Sequence, residues 1–229
     1  MANERVFLIT GASTGIGAAT ARAAAEAGYR VALAARSEDK LRALADELGG
    51  DERALALRCD VTSWEDQESM VATVLDAFGR IDVAFANAGF GAQRGFENET
   101  PEFWREMVLT NVLGVAYTIR ATLPSMRHST GHYLITSSVA GRRPLAGSLY
   151  SASKFAVTAM GEALRQDVNG TGIRVTLIAP GMVDTPFFDN RPSDALEPDD
   201  IARAVMYAVS QPPHVDVNEV LIRPTAQAG

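Results

Sequence analysis

The sequence predicts an α/β fold, a Rossmann-like doubly wound sheet of seven parallel strands with helices on both faces. Short apolar runs alternate along the chain with segments in which apolar residues recur at i, i+3 and i+4. Several of these runs are almost wholly apolar, as expected for strands covered on both faces. The chain has 229 residues and no low-complexity linker or repeat, so we expect one domain over residues 1–229.

Each predicted element has its own local signal. The predicted strands are Val6–Thr10, Arg30–Ala34, Ala54–Cys59, Ile81–Ala86, His132–Ser137, Arg174–Ala179 and Val220–Ile222. The clearest helical spacing lies in Ile16–Ala27, Lys40–Leu48, Trp64–Phe78 and Ala152–Leu164. Gly28, Gly49-Gly50 and Gly79 stand where helix C-caps are expected. The irregular stretch Pro186–Glu197 is either a flap over a site or a plain surface loop.

Composition excludes several classes of function. A net charge of −7 argues against a nucleic-acid or anionic-membrane surface. The single cysteine, Cys59, excludes an intramolecular disulfide and suits a reducing compartment. The first strand begins at Val6 without a signal-like segment, and no run of 18 apolar residues occurs, so we predict a cytoplasmic protein. The three histidines are scattered, so no metal site is expected.

A glycine-rich turn after the first strand is the first candidate binding site. It reads Thr10-Gly11-Ala12-Ser13-Thr14-Gly15-Ile16-Gly17 and leads into a helix. Glycines let the backbone approach a pyrophosphate, which the N–H groups of the helix N-terminus stabilise. The spacing is not G-x-G-x-x-G, so the turn is a weak signal alone and a stronger one at the head of a βαβ series.

The second strand ends at Arg36 rather than at a carboxylate. An acidic residue there would hold the ribose 2′-hydroxyl of NAD(H), whereas an arginine suits the 2′-phosphate of NADP(H). Glu38 and Asp39 come slightly late and are better placed to begin the next helix. We therefore predict NADP(H) over NAD(H), with a solvated charge as the alternative for Arg36.

Two later strand ends add candidates. Asp60 could accept a hydrogen bond from an adenine amino group, or cap the helix that begins near Ser63. Asn87-Ala88-Gly89 ends the fourth strand, at the carboxyl edge where open α/β sheets bind ligands.

Tyr150 and Lys154 form the most informative pair. They are four residues apart on a predicted helix, beside an apolar stripe, and can therefore share one face. A phenol has a pKa of about 10, and a neighbouring ammonium favours the phenolate, which makes the tyrosine a candidate acid/base. The pair alone is common by chance. Ser137 and Ser138 strengthen it, because a hydroxyl at the end of the fifth strand can hydrogen-bond a substrate oxygen.

Together these residues resemble the short-chain dehydrogenase/reductase family over essentially the whole chain. The matching motifs are Thr10-Gly11-x3-Gly15-Ile16-Gly17, Asn87-Ala88-Gly89, Asn111, Ser138, Tyr150-x3-Lys154 and Pro180-Gly181-x3-Thr185. The resemblance implies that Tyr150 is the general acid/base and that Ser138 orients the substrate oxygen. It implies that Lys154 binds the nicotinamide ribose and lowers the tyrosine pKa, and that Asn111 holds a water in a proton relay.

The resemblance also implies a cofactor-binding set, a homo-oligomer and a substrate class. The set is Gly11, Ser13, Thr14, Gly15, Ile16, Gly17, Arg36, Asp60, Val61, Asn87, Ala88, Gly89, Tyr150, Lys154, Pro180, Gly181, Val183 and Thr185. Many members are tetramers that pair the helices of Asn111 and Tyr150 across subunits, so a tetramer or dimer is expected. The ending Val217–Thr225 is similar to a branch acting on small 3-hydroxy acids, 3-keto compounds and varied alcohols.

Some features remain open at this stage. The interval from Ser138 to Tyr150 is one residue shorter than the family's usual spacing, so either Ser137 or Ser138 can be the active hydroxyl. Candidate pocket residues are Phe90, Arg94, Arg142, Arg143, Leu145, Met182, Phe187, Phe188 and Arg191. The arginines among them either grip a substrate carboxylate or lie as solvated charges at the rim.

Three functions are compatible with these motifs. The first is an NADP(H)-dependent oxidoreductase that interconverts an alcohol and its carbonyl. The second is a catalytically silent NADP(H)-binding sensor, which usually lacks the tyrosine–lysine pair that is present here. The third is an isomerase or dehydratase of the extended relatives, which carry a further substrate lobe that 229 residues do not provide. The first is preferred.

Overall fold

A computed structural model describes residues 4–187 and 193–227, and it contains one parallel sheet in the order β3-β2-β1-β4-β5-β6-β7. The strands are β1 Val6–Thr10, β2 Arg30–Ala35, β3 Ala54–Arg58, β4 Val83–Ala86, β5 His132–Thr136, β6 Arg174–Pro180 and β7 Glu219–Ile222. The strand order reverses between β1 and β4, which opens a crevice at the carboxyl edge of the sheet. The predicted fold class is confirmed.

Seven helices cover the sheet within the described ranges. They are α1 Gly15–Glu26, α2 Glu38–Glu47, α3 Trp64–Phe78, α4 Pro101–Val108, α5 Gly114–Ser129, α6 Leu149–Asp167 and α7 Pro198–Ser210. A π-helical turn, Leu109–Leu113, joins α4 to α5, and a 3-10 turn, Val139–Gly141, follows β5. Across the described part of the chain, no helix has the length and apolar character needed to cross a bilayer.

The core is double, with one apolar layer on each face of the sheet. Along β1 the side chains alternate, so Val6 and Leu8 pack on the face of α3 and α5, whereas Phe7 and Ile9 pack on the face of α1 and α7. All five residues of β1 are buried. This two-sided burial explains why the strand sequences are continuous apolar runs rather than alternating ones.

The element bounds differ from the predicted ones by a few residues. α3 has the predicted bounds, and Gly79 is its left-handed C-cap. β4 begins at Val83, not at Ile81, because Asp82 belongs to the turn before the strand. The buried carboxylate of Asp82 accepts a hydrogen bond from the backbone N–H of Val6 at 2.8 Å and forms an ion pair with Arg80.

The apolar stripe of the Tyr150 helix faces outward, contrary to the usual reading of such a stripe as core. Ala152, Phe155, Ala156, Ala159 and Ala163 are exposed. The buried face instead carries small and polar residues, namely Ser151, Ser153, Lys154, Val157, Thr158, Gly161 and Leu164. Gly161 lets this face approach β6, because a Cβ there would lie 2.7 Å from Leu177.

The irregular stretch after β6 is anchored at both of its ends. Val183 and Leu196 form a parallel β-bridge, and the backbone N–H of Asp184 donates to the carbonyl of Leu196 at 2.7 Å. Two of the predicted pocket residues in this stretch, Phe188 and Arg191, lie outside the described residues.

Candidate active site

A crevice of about 520 Å³ runs along the carboxyl edge of the sheet, beside β1, β2, β4 and β5. Its lining includes most of the predicted cofactor residues and both members of the Tyr150–Lys154 pair. The lining residues are Gly11, Ser13, Thr14, Gly15, Ile16, Ala35, Arg36, Ser37, Cys59, Asp60, Val61, Asn87, Ala88, Gly89, Phe90, Glu106, Thr110, Thr136, Ser137, Tyr150, Lys154, Pro180, Gly181, Val183, Thr185, Pro186 and Phe187.

The glycine-rich turn leaves the N-terminus of α1 open toward this crevice. Gly11 and Gly15 have positive φ, +67° and +54°, which other residues rarely adopt. A Cβ on Gly17 would lie 2.2 Å from the carbonyl oxygen of Gly11, so only glycine fits there. Thr14 precedes α1 with extended backbone, and its side chain makes no capping hydrogen bond in the structure described. The first N–H groups of α1 therefore suit an anion.

Arg36 and Asp60 line the crevice beside the carboxyl ends of β2 and β3. Arg36 is exposed at the end of β2, and Glu38 begins α2 as predicted. Burial would raise the pKa of Asp60, but hydrogen bonds from Thr62 and the charge of Arg36 lower it. The cap of α3 is Ser63, which accepts from the backbone N–H of Asp66 at 3.1 Å, so the capping alternative for Asp60 is wrong.

Asn87 ties three strand ends together. Its Nδ2 donates to the carbonyl of Thr10 at 3.1 Å, and its Oδ1 accepts from the hydroxyl of Thr136 at 3.0 Å. The hydroxyl of Thr10 in turn accepts from the backbone N–H of Asn87 at 3.1 Å and donates to the carbonyl of Phe85 at 3.3 Å. The bottom of the crevice is therefore held by a network across β1, β4 and β5.

The two serines after β5 lie in different surroundings. Ser137 is buried, and its hydroxyl lies 2.7 Å from that of Thr158 and 3.4 Å from the carbonyl of Lys154. Ser138 caps the following 3-10 turn by accepting from the backbone N–H of Ala140 at 3.1 Å. The Ser138 hydroxyl donates to the carbonyl of Pro180 at 3.4 Å, and it lies close enough to the Tyr150 hydroxyl to lower the pKa of that phenol by hydrogen bonding. Ser137 contacts the underside of α6 and also contributes to the lining of the crevice, whereas the Ser138 hydroxyl lies beside the phenol.

The Tyr150 hydroxyl is protonated at neutral pH in this structure. Burial raises its pKa to about 12, and the hydrogen bond with Ser138 opposes that rise. The nitrogen of Lys154 lies 5.8 Å from the centre of the Tyr150 ring. Desolvation dominates the phenol pKa in this structure, and the expectation that Lys154 brings this pKa down stays a prediction.

Lys154 is buried under the crevice and held by the sheet. Its Nζ donates to the carbonyl of Thr136 at 2.8 Å, and burial lowers its pKa to about 8. A Cβ on Gly89 would lie 3.6 Å from this nitrogen and 3.0 Å from Oδ1 of Asn111, so Gly89 lies over both side chains.

Asn111 lies in the π-helical turn and is fully buried. Its side chain clamps the segment after β4, because Nδ2 donates to the carbonyl of Phe90 at 2.9 Å and Oδ1 accepts from its N–H at 3.0 Å. A third hydrogen bond, from Nδ2 to the hydroxyl of Ser153 at 3.2 Å, joins it to α6. The side-chain amide thus fixes the wall of the crevice against the Tyr150 helix.

With this geometry established, comparison with known proteins identifies the family. A model of the short-chain dehydrogenase family matches residues 5–196. This chain belongs to that family. An uncharacterized oxidoreductase of Staphylococcus haemolyticus is 40% identical over 227 residues, covering 97% of this short-chain dehydrogenase and 98% of the relative.

Solved structures of other short-chain dehydrogenases share the fold closely. The alcohol dehydrogenase from the archaeon Thermococcus sibiricus, complexed with 5-hydroxy-NADP, matches with a TM-score of 0.92 at 36% identity, covering 99% of each chain. Serine dehydrogenase from Escherichia coli matches with a TM-score of 0.89 at 33% identity, covering 98% of this chain and 100% of that one. A closed form of serine dehydrogenase complexed with NADP+ matches with a TM-score of 0.90 at 31% identity, covering 98% and 96%.

Sequence reasoning did not single out several supporting residues of this short-chain dehydrogenase. Thr136 holds Lys154 and Asn87, Ser153 holds Asn111, and Thr110 lines the crevice. Thr136 had a detectable signal, because a hydroxyl ends an otherwise apolar strand at the carboxyl edge of the sheet. The other two lie on helices, where nothing in the sequence marks them.

Among the predicted pocket arginines, Arg142 is engaged elsewhere. Its guanidinium makes two hydrogen bonds of 2.8 Å each to the carboxylate of Glu219 on β7. Arg94 and Arg143 are exposed and are not part of the crevice lining. The described arginines therefore fit the solvated-rim alternative better than a carboxylate grip.

Proposed function

We propose that this protein is an NADP(H)-dependent oxidoreductase that interconverts an alcohol and its carbonyl compound. The observation that carries the proposal is the Ser138 hydroxyl beside the Tyr150 hydroxyl and buried Lys154, in a crevice that also contains an open helix N-terminus. The hydroxyl groups offer proton transfer, and the helix N-terminus offers an anion-binding site.

The crevice fits a dinucleotide phosphate. The uncapped N-terminus of α1 suits the diphosphate, and exposed Arg36 suits a 2′-phosphate at the adenosine end. Asp60, Val61 and the Asn87-Ala88-Gly89 segment line the same crevice. Two of the similar solved structures are complexes with NADP+ or a NADP derivative, which supports NADP(H) as the cofactor of this protein.

The reaction needs one hydride and one proton. The nicotinamide, when bound, supplies the hydride for carbonyl reduction or accepts it in alcohol oxidation. In reduction, Tyr150 donates its proton to the carbonyl oxygen, while the Ser138 hydroxyl holds that oxygen by a hydrogen bond. In oxidation the alcohol O–H proton passes to the Tyr150 phenolate. Lys154, buried beneath the phenol, stabilises the negative charge that forms on it.

The pKa of Tyr150 sets the protonation state of the phenol at neutral pH. With a pKa of about 12 the phenol is protonated and ready to act as an acid, so carbonyl reduction has its catalyst in the correct state. Alcohol oxidation requires the small phenolate fraction. As long as the pH is below the pKa, this fraction rises tenfold with each unit of increase in pH. We therefore infer that the two directions differ in their pH dependence, while the reaction equilibrium and the cofactor ratio set the net direction.

Two features favour an enzyme over the alternative of a silent cofactor-binding sensor. Tyr150 and Lys154 are both present, and both lie in the crevice. A sensor would not require the phenol to be hydrogen-bonded to a second hydroxyl, as it is to Ser138.

The substrate class is a small alcohol or ketone, including small 3-hydroxy acids. The names of the similar structures, an alcohol dehydrogenase and serine dehydrogenases, support this range. A panel of ketones, alcohols and 3-hydroxy acids, assayed with NADPH or NADP+ by nicotinamide absorbance, tests the proposal. We expect turnover with NADPH and with at least one small ketone. Tight NADPH binding without turnover of any panel member would favour the sensor instead.

We also propose a homo-oligomer built on α5 and α6. The exposed apolar stripe of α6 lies beside a groove lined by Ala116, Ile119, Arg120, Leu123, Pro124, Arg127, Met160, Ala163, Leu164 and Asp167. Two copies could bury these faces against each other by a two-fold axis. Ala159→Glu should lower the sedimenting mass, whereas a wild-type monomer in sedimentation would contradict the proposal.

The proposed location is the cytoplasm. The single cysteine, Cys59, supports it, because one cysteine cannot form an intramolecular disulfide, as is typical of proteins in a reducing compartment.

A further inference from the structure

Phe187 closes the tyrosine end of the crevice from the opposite wall. Its ring lies edge-on to the Tyr150 ring, with centroids 5.7 Å apart and an interplanar angle of 65°. The ring is 40% exposed, so it forms part of the mouth of the crevice rather than part of the core. It belongs to the segment after β6, whereas Tyr150 belongs to α6.

Gly91, in the segment after β4, lies directly against the same ring. A Cβ on Gly91 would lie 2.6 Å from Cζ and 2.7 Å from Cε1 of Phe187. These distances are below the closest approach of real carbon atoms, so any side chain at position 91 would displace the ring. The ring of Phe187 therefore lies between the backbone of Gly91 and the edge of Tyr150.

The backbone before Phe187 is fixed in a similar way. The N–H of Phe187 donates to the Thr185 hydroxyl at 3.3 Å. A Cβ on Gly15 would lie 3.0 Å from the methyl carbon of Thr185. This segment thus contacts one glycine at each end of the crevice, Gly15 at the helix N-terminus and Gly91 near the phenol.

We propose that Phe187, held against Gly91, is the residue that sets the size of substrate accepted beside the Tyr150 hydroxyl. The inference rests on the proposed function and goes beyond it by naming the specificity-determining contact. A substrate carbon chain attached to the reacting carbon has to share the space next to Tyr150 with the Phe187 ring. Small substituents fit, and an aryl substituent is excluded until the ring moves.

The test compares reduction of 2-butanone with that of 4-phenyl-2-butanone by NADPH in five proteins. These are the wild type, Phe187→Ala, Gly91→Ala, the double variant, and Phe96→Ala as a matched control. Phe96 is a phenylalanine that is 64% exposed and is not part of the crevice lining. The measured quantity is the ratio of kcat/KM for the phenyl ketone to that for 2-butanone.

We expect Phe187→Ala to raise this ratio about tenfold or more, because it removes the ring from the wall of the pocket. Gly91→Ala should also change the ratio, since it displaces the ring, and it should add nothing in the Phe187→Ala background. Phe96→Ala should leave the ratio unchanged. The dependence of the Gly91 effect on Phe187 separates the contact from a general loss of structure.

A ratio that stays within twofold of wild type in Phe187→Ala would overturn the proposal. So would a Gly91→Ala effect that persists in full without Phe187. If Gly91→Ala does not fold, Phe187→Leu provides the intermediate step and should give an intermediate ratio. Saturation-transfer NMR titrations of both ketones measure the corresponding ratio of their binding affinities. A wild type without turnover would therefore count against the proposed function alone, while the binding ratio would still decide the role of Phe187.

Discussion

The two ends of the crevice are built from different parts of the chain. At the glycine-rich end, residues close in sequence make the site, because Gly11, Gly15 and Gly17 bring the backbone of one turn to the start of α1. At the tyrosine end, the site combines Ser138 after β5, Tyr150 on α6 and Phe187 after β6. The first depends on backbone geometry, and the second depends on side chains that tertiary packing brings together.

Because of this difference, the two ends should respond differently to amino-acid substitutions. The glycine-rich end binds through N–H groups, so its side chains can vary wherever the backbone is kept. The tyrosine end depends on hydroxyl and ammonium groups whose pKa values are set by burial, for Tyr150 about 12 and for Lys154 about 8. Changes at the tyrosine end should therefore alter rates, and changes at the cofactor end should alter binding and cofactor choice.

The largest contrast is expected between the two neighbouring serines. Ser138→Ala should lower kcat/KM for ketone reduction about 100-fold, since one hydrogen-bond donor to the substrate oxygen is lost. Ser137→Ala should lower it far less and should reduce stability instead, because that hydroxyl bonds to Thr158. Steady-state kinetics and thermal denaturation of both variants check this. The reverse pattern would assign the substrate contact to Ser137.

The pH dependence sharpens the role of the tyrosine end. Oxidation requires the phenolate, so its kcat/KM should rise about 100-fold between pH 7 and pH 9, well below the pKa of about 12. Reduction requires the protonated phenol and should stay nearly constant over that range. Rates of both directions, measured with one alcohol–ketone pair, provide the check. A plateau in oxidation below pH 8 would mean that the phenol titrates near neutrality.

The cofactor end is tested by reversing one charge. Arg36→Asp should shift the ratio of kcat/KM for NADPH over NADH about 10- to 100-fold toward NADH, since hydrogen bonds to charged groups contribute about 1.5–3 kcal/mol. Arg58→Asp is the matched control, because Arg58 ends β3, beside β2, yet does not line the crevice. Equal shifts in both variants would point to a general surface charge effect.

The sheet that supports both ends carries a buried titratable group, His132. Its Nε2 lies 2.7 Å from the hydroxyl of Thr176, and burial lowers its pKa from 6.5 to about 3. The unfolded chain binds a proton below pH 6.5 and the folded protein does not, so stability falls as the pH falls from 6.5 toward 3.

At pH 5 this effect amounts to about 2 kcal/mol in the free energy of unfolding, relative to pH 8. His132→Gln removes the titrating group, so the loss of unfolding free energy between pH 8 and pH 5 should be smaller by that amount. His128→Gln, at an exposed position, should keep the wild-type dependence. Urea denaturation at the two pH values measures the unfolding free energy of the wild type and of both variants. An equal change in this free energy between pH 8 and pH 5 in all three proteins would contradict the account.

Much of the fold was predictable because it rests on local patterns. Continuous apolar runs located all seven strands, and the doubly wound topology followed from their alternation with helices. α4, α5 and α7 were not among the clearest helical segments; in α5, Pro124 interrupts the pattern. The direction in which the apolar stripe of α6 faces was not predictable, because periodicity shows that a helix has an apolar face but not which partner covers it.

The site was predictable where residue type and position along the strand carry the chemistry. Tyr150, Lys154 and the glycine turn have short-range signals, and the structure brings them to one crevice. The hydrogen bond between Ser138 and Tyr150, the clamp of Asn111 on Phe90, and the contact of Phe187 with Gly91 join distant segments. A single sequence gives the residues of such contacts but not their pairing.

The most direct test of the account is Tyr150→Phe, measured for turnover and for NADPH binding on the same sample. Removing the phenolic hydroxyl takes away the proton donor while keeping the ring against Phe187. We predict a loss of about 1,000-fold in kcat/KM for ketone reduction, with the dissociation constant for NADPH unchanged within a few-fold. Turnover that survives the substitution at the wild-type rate would contradict the assignment of Tyr150 as the acid of the reaction.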